Sequence, residues 1–439
     1  MLARRGLTAI VTLTLLLAGA AARADLSDTE RRLAEAVDAR QAQALALLEE
    51  AVEINSGSLN LEGVQQVGEL FERALTGIGF ETEWLDGSAF GRAGHLVARH
   101  GDRGPHLLLI GHLDTVFEPD SPFRHFERVG PDRAKGPGVI DMKGGDVVMI
   151  EALAALKAVG ALDDLEITVI MIGDEESSGS PLSAARQALL AAADEADIAL
   201  GFEDGDGDPK TAVIARRGYT GWELTVSGTP AHSSQIFQKE TGDGAAFELA
   251  RILDGFRREL SGERNLTFNP ALVLAGTRVD YDDEHSAGEA FGKGNVIPGH
   301  AFASGDLRTL TPVQLASAKS RMRKIVAQHL PGTSAKIEFT DGYPPLAPTD
   351  GNRRLLSLYD QASRDLGFGP VTAVNPRDAG AADISFTAGR VAMALDGIGL
   401  MGTGGHTVEE TADLTTLTSQ AKRAALLMYR LRDFEATGS

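Results

Sequence analysis

No cysteine occurs in the 439 residues. Disulfides and thiolate ligands are both excluded, so any metal site must be built from histidine and carboxylates. Positive charge is scarce: 42 Lys and Arg stand against 62 Asp and Glu, a formal net charge of −20. That balance argues against nucleic acid or an anionic membrane as the main partner. It names no substrate, because a local basic pocket can sit in an acidic protein. Long apolar runs are missing as well. The longest, over residues 7–18, is short for a membrane span. With Arg4-Arg5 ahead of it and Ala22-Arg23-Ala24 behind, residues 1–24 read as an export signal cleaved after Ala24. Cleavage removes three arginines and no acid, which takes the charge to −23. The mature protein is expected to be periplasmic or secreted, with no stable membrane anchor. No internal repeat and no low-complexity linker is found.

What is present suits a large α/β protein. Hydrophobic residues make up 43%, enough for a sizeable core, and the length suggests two domains. A long amphipathic helix is predicted over residues 29–54 and another over 63–76. Strands follow at 80–85, 94–100 and 105–110, a helix at 143–156, a strand at 165–172, a helix at 180–193 and a strand at 197–202. Alternating strands and helices with polar residues at strand ends indicate a twisted, mostly parallel sheet, with a site along its carboxyl edge. From Thr220 the pattern becomes two-fold, with Trp222, Leu224 and Val226 on one face. A β-α-β-β-α-β order then suggests a ferredoxin-like α+β insert. The expected division is a catalytic domain in two parts, residues 25–217 and 331–439, around an insert at 218–330.

Five segments carry the candidate chemistry. In Gly111-His112-Leu113-Asp114-Thr115, His112 and Asp114 follow the end of an apolar strand. Residues two apart in extended chain point the same way, which suits a metal ligand and its orienting partner. In Gly136-Pro137-Gly138-Val139-Ile140-Asp141-Met142-Lys143-Gly144-Gly145, glycines around Asp141 permit a sharp turn and close backbone approach. Taken alone, Asp141 reads better as a helix cap. Asp174-Glu175-Glu176 places adjacent carboxylates on opposite faces, one for metal and one for a water. Glu203 ends a hydrophobic strand. His406 sits in the Gly-rich loop Met401-Gly402-Thr403-Gly404-Gly405-His406.

Taken together, and in this order, these segments resemble the M20 family of metallopeptidases, the glutamate carboxypeptidase and succinyl-diaminopimelate desuccinylase group. The resemblance implies a zinc-peptidase-like catalytic domain with an inserted dimerisation domain. It implies two Zn2+ per subunit, with Co2+ or Mn2+ as alternatives. Asp141 would bridge them, His112 and Glu203 would hold one, and Glu176 and His406 the other. Asp114 would orient His112, and Glu175 would be the general base. Ser227-Gly228-Thr229-Pro230-Ala231-His232-Ser233 resembles the family segment whose His reaches an active site across the dimer, where it holds the oxyanion. Asn295 and Arg308 resemble substrate-binding positions, and Arg308 suits a free carboxylate. An internal salt bridge with Asp306 is the other reading of Arg308.

The implied activity is hydrolysis of an amide or peptide bond beside a free carboxylate, of carboxypeptidase type and releasing a Glu-like residue, from a peptide or N-acyl amino acid. An aminopeptidase or N-acyl-amino-acid deacylase on the same scaffold is the enzymatic alternative. A catalytically silent metal- or peptide-binding protein is the alternative outside enzymes, and the presence of Glu175 speaks against it.

Overall fold

The computed structural model describes residues 26–282 and 286–434. The expected export signal lies outside the described residues. Three helices come first: α1 (Asp28–Ala39), α2 (Gln41–Glu53) and α3 (Leu61–Gly77). The single helix expected over 29–54 is broken at Arg40, whose guanidinium turns inward to Glu151 at 2.6 and 3.0 Å. A buried carboxylate needs such a partner, so tertiary pairing overrides local helix propensity there. Strands β1 (Glu81–Asp86), β2 (Gly94–His100) and β3 (His106–His112) follow, then the short β4 (Glu127–Arg128) and β5 (Arg133–Lys135). Next come α4 (Lys143–Ala158), β6 (Glu166–Ile172), α5 (Leu182–Ala185), α6 (Gln187–Glu195), β7 (Ile198–Gly201) and β8 (Thr211–Ala212). The helix expected over 180–193 is thus two pieces, parted at Arg186.

The smaller unit is β9 (Gly218–Gly228), α7 (Ala245–Leu260), β10 (Thr267–Gly276), β11 (Arg278–Asp282), β12 (Ala287–Phe291), β13 (His300–Thr309), α8 (Pro312–Val326) and β14 (Thr333–Asp341). The chain then returns through α9 (Asp350–Asp365), β15 (Thr372–Ala373), β16 (Met393–Leu395), β17 (Gly402–Thr403), β18 (Thr411–Asp413) and α10 (Thr415–Leu431).

The principal sheet has the order β1-β2-β6-β3-β7-β16. β3 runs parallel to β6 and to β7, and β16 runs parallel to β7. Four strands therefore end on one edge, while β1 and β2 complete the sheet in antiparallel fashion. Every residue of β3 is buried, as a strand covered on both faces requires. That is why its sequence is a continuous Leu-Leu-Leu-Ile run rather than an alternation.

The second sheet has the order β10-β13-β9-β14, all antiparallel. With α7 and α8 it is the expected ferredoxin-like β-α-β-β-α-β unit. Its own core contains Trp222, Leu224, Val226, Ile252, Phe256, Leu307 and Met322. Two points differ from the sequence reading. β14 pairs with β9 along its whole length, so the unit extends to Asp341, past the boundary expected at residue 330. A hairpin, β11–β12, is added between β10 and β13. The two bodies are joined by paired crossing segments, where Arg216 and Leu346 exchange backbone hydrogen bonds of 3.0 Å each.

Candidate active site

The carboxyl edge of the principal sheet gathers the predicted residues. His112 ends β3, Glu175 and Glu176 follow β6, and Glu203 lies two residues beyond β7. Asp141 lies in the turn just before α4. Glycine allows that turn: Gly138 has φ +72°, and a Cβ on Gly145 would lie 1.9 Å from the carbonyl oxygen of Phe202. Only a helix without that Cβ can start so close to the end of β7.

Asp141 is the centre of the cluster. Its Oδ1 lies 3.0 Å from His112 Nε2, and its Oδ2 lies 2.9 Å from His406 Nε2. Glu203 reaches His112 Nε2 at 3.7 Å, and Glu176 reaches His406 Nε2 at 3.1 Å. Two triads result, His112–Asp141–Glu203 and Asp141–Glu176–His406, with the ligand atoms of each within 4.8 Å of one another. They share Asp141, each of whose oxygens faces a different triad. Such a set of imidazole and carboxylate donors fits two divalent cations of the zinc type joined by a bridging carboxylate.

Asp114 differs in detail from its expected role. His112 Nδ1 lies 3.0 Å from the Asp114 main-chain oxygen and 3.4 Å from its carboxylate. Both contacts favour a proton on Nδ1 and leave Nε2 directed at Asp141. The Asp114 carboxylate also accepts from Ser58 Oγ at 2.6 Å and from the amides of Glu175 and Glu176 at 3.0 and 3.1 Å. It orients His112 and braces the Glu175 loop at once.

The electrostatics are those of crowded acids held by two histidines. Burial alone would push Asp141 up, but hydrogen bonds from His112 and His406 pull it below the usual carboxylate range. Glu175 and Glu203 are driven well above that range, first by burial and then by neighbouring carboxylates. His406 is pushed up to about 11 by its hydrogen bonds to Asp141 and Glu176. A site that holds this much negative charge in one place is relieved by bound cations. His406 itself has φ +62°, a conformation uncommon outside glycine and asparagine.

The profile of Peptidase family M20/M25/M40 matches residues 108–430. The chain belongs to that family, and it is a hydrolytic enzyme. Carboxypeptidase G2 of Pseudomonas sp. (strain RS-16) is 26% identical to this M20 chain, over 91% of it and 92% of the relative. Succinyl-diaminopimelate desuccinylase of Acidiphilium cryptum (strain JF-5) is 29% identical over 84% and 93%. Among solved structures, a dinuclear metal-binding peptidase of the M20 family from Bacillus subtilis superposes with a TM-score of 0.61 at 17% identity, over 90% of this chain and 99% of that one.

The smaller unit of this M20 hydrolase carries the remaining three predicted residues, and none of them joins the cluster. His232 is exposed, and its Nδ1 lies 2.8 Å from Ser234 Oγ. Asn295 is exposed, and its carbonyl accepts from the Ser233 amide. Arg308 makes the internal salt bridge to Asp306 at 2.8 Å and lies over the Tyr219 ring. Among the described residues, no hydrogen bond or ion pair links these three to the triads.

Several supporting residues escaped the sequence reading. Glu410 accepts from the amides of Gly138, Ile140 and Asp141 at 3.0, 2.8 and 3.2 Å, and so fixes the Asp141 turn from the far end of the chain. Arg216 pairs with Asp396 at 2.8 Å, and Asp396 accepts from the Glu203 amide at 3.4 Å. Arg186, Asp174, Asp383 and Tyr343 form a further buried network. Asp174 lay inside a segment already singled out, and Glu410 stands four residues beyond another. The others come together from positions up to 197 residues apart.

Proposed function

We propose that this M20 hydrolase is a dizinc enzyme that cleaves an amide bond next to a free carboxylate, from a peptide or N-acyl amino acid. The observation that carries the reading is the pair of triads sharing Asp141, with Glu175 on the same loop as the ligand Glu176. Metal ions bound in the triads would supply Lewis acidity toward the scissile carbonyl and make an attacking water more acidic. Glu175 takes the proton from that water and delivers it to the nitrogen of the leaving amine as the C–N bond breaks. Its burial raises its proton affinity, as a base working near neutral pH requires.

Arg308 grips the free carboxylate. Asp306 engages its Nε, and the Nη end is the fork that matches a carboxylate. Asn295 adds a polar contact. His232 stabilises the developing oxyanion from a second copy, so the enzyme works as a homodimer through its smaller unit. Its exposed position in a single chain supports a role in trans. The similarity to carboxypeptidase G2 supports the carboxypeptidase reading, and that to the desuccinylase supports a second reading, an N-acyl deacylase. We further propose that the protein is exported.

The test is hydrolysis of a panel of N-acyl amino acids, N-succinyl amino acids and dipeptides by the mature protein, zinc-loaded and chelator-stripped. Cleavage should need metal and fall by at least ~100-fold in Glu175→Ala. Full activity in that variant overturns the assignment. Substrates with a blocked N-terminus separate carboxypeptidase and deacylase from aminopeptidase.

A further inference from the structure

We infer that Tyr343 and Arg186 are positioning residues for Glu175, and that Tyr343 ties the base to the segment joining the two bodies. The inference rests on the reading of Glu175 as the general base.

Arg186 stands at the break between α5 and α6 with its side chain wholly buried. All three guanidinium nitrogens are engaged. Nε donates to Asp383 at 2.6 Å and Nη1 to the Asp174 carboxylate at 2.7 Å. Nη2 donates to the Asp174 carbonyl at 3.1 Å, to Ser178 Oγ at 3.1 Å and to Tyr343 Oη at 2.8 Å. The second Asp174 oxygen accepts from the Gly179 amide at 2.6 Å. The loop bearing Glu175 and Glu176 is therefore gripped on both sides of those two residues.

Tyr343 completes the grip. Its hydroxyl accepts from Arg186 and donates its one proton to the main-chain oxygen of Glu175 at 3.1 Å. Burial, with the charges of Asp383 and Glu175 adding to it, holds the phenol well above its ordinary value, so the proton stays in place. Tyr343 does not belong to the principal sheet. It follows β14 by two residues, in the segment that returns from the smaller unit. There its carbonyl accepts from the Tyr219 amide at 2.9 Å, at the start of β9. A shift of the smaller unit thus acts on the backbone of Glu175 through one phenolic hydrogen bond.

Ordinary packing does not call for this arrangement. Burying a guanidinium with two carboxylates is costly, and apolar residues of similar volume generally serve stability as well. What charges add is fixed direction at every contact. Here those directions set the base relative to the triads, where small misplacements are expensive in rate.

The test compares zinc-loaded mature protein with Tyr343→Phe and Arg186→Lys. Tyr343→Phe keeps the ring against Phe386 and removes only the hydroxyl. Its kcat should fall about tenfold, with KM within about twofold and metal content unchanged, and Arg186→Lys should fall about a hundredfold. Amide hydrogen exchange gives a second readout that needs no substrate. The Glu175 and Glu176 amides should exchange faster in Tyr343→Phe, while those of Leu107–Ile110 keep their protection. Unchanged exchange in that loop overturns the inference. So does faster exchange with undiminished kcat, or a loss of kcat that merely follows lost metal. If wild-type protein cleaves nothing in the panel, the functional reading fails, and exchange alone decides whether Tyr343 anchors the loop.

Discussion

The two sheets of this protein handle polar residues in opposite ways. At the carboxyl edge of the principal sheet, acids and histidines are drawn inward and bonded to one another: His112 and Asp114 are 1% and 0% exposed. In the smaller unit the core is mostly apolar, its buried acid Glu248 is paired with Arg251, and the candidate functional residues His232 and Asn295 stand in solvent. The first arrangement is a preorganised site, in which charge placement is settled before any ligand arrives. On the proposed function, the second is half of a site completed by another copy, and one chain carries a full set of metal ligands but an incomplete substrate pocket.

The sharpest way to break this contrast is to remove the residue both triads share. Asp141→Ala should abolish turnover, by roughly a thousandfold or more, because both metal positions lose a ligand. Metal analysis should show fewer than one zinc retained per chain after dialysis. The smaller unit should keep its fold, with Trp222 fluorescence unchanged. Retention of two ions with normal turnover would mean that the triads are not the metal centre.

Next in size is the exposed half. His232→Ala should lower kcat by roughly 10²–10³ while leaving metal content intact, as loss of an oxyanion donor does. Mixing this variant with Glu175→Ala distinguishes trans from cis action. If His232 serves the neighbouring subunit, random reassociation restores about a quarter of wild-type activity, because half the dimers are mixed and each has one complete site. Mixtures that stay inactive would confine His232 to its own chain, and full activity of His232→Ala by itself would remove it from the reaction.

Arg308 should matter less to rate and more to recognition. Arg308→Lys keeps the charge and loses the two-pronged fork, so KM for substrates with a free carboxylate should rise about tenfold with a smaller change in kcat. An equal effect on the corresponding amides would show that Arg308 serves only its salt bridge to Asp306.

The principal sheet and the clustered residues along its edge were legible because they depend on local signals. A continuous apolar run marks a doubly covered strand, and Gly-rich turns around Asp141 and His406 mark places where backbone must fold back on itself. The smaller unit was legible from alternation in β9. What stayed hidden depends on partners distant in sequence. Arg40 breaks a helix because Glu151 needs a cation. Arg186 breaks another because Asp174 and Asp383 do. Neither signal exists within any short window. The boundary near residue 330 fell short because β14 alternates on a half-exposed surface, so its membership is decided by pairing with β9 rather than by its own residues. Asp114 lies beside His112, yet its bonds to the Glu175 and Glu176 amides join segments that only the folded sheet brings together.

The smallest predicted effect concerns a buried acid that belongs to neither half of the pocket. Asp146, in the first turn of α4, is wholly buried, and neither carboxylate oxygen has a hydrogen-bond partner. It packs on Gly111, where a Cβ would lie 2.0 Å from its Oδ1. Burial holds its carboxyl well above the ordinary aspartate range, against the pull of His112 and Lys143. The folded metal-free protein therefore keeps a proton that the unfolded chain releases above its own, ordinary pKa. With fewer protons bound in the unfolded state, stability falls as pH rises between those two values. Asn cannot ionise, so Asp146→Asn should remove this slope. Urea unfolding of both metal-free proteins should give similar midpoints near pH 4. Toward pH 8 a gap in favour of the variant should widen, by at most about 1.4 kcal/mol for each step of one in pH. The smaller unit offers no counterpart, because its core contains no unpaired acid among the described residues. A gap that stays constant with pH would mean that Asp146 finds a proton or cation partner inside the principal body.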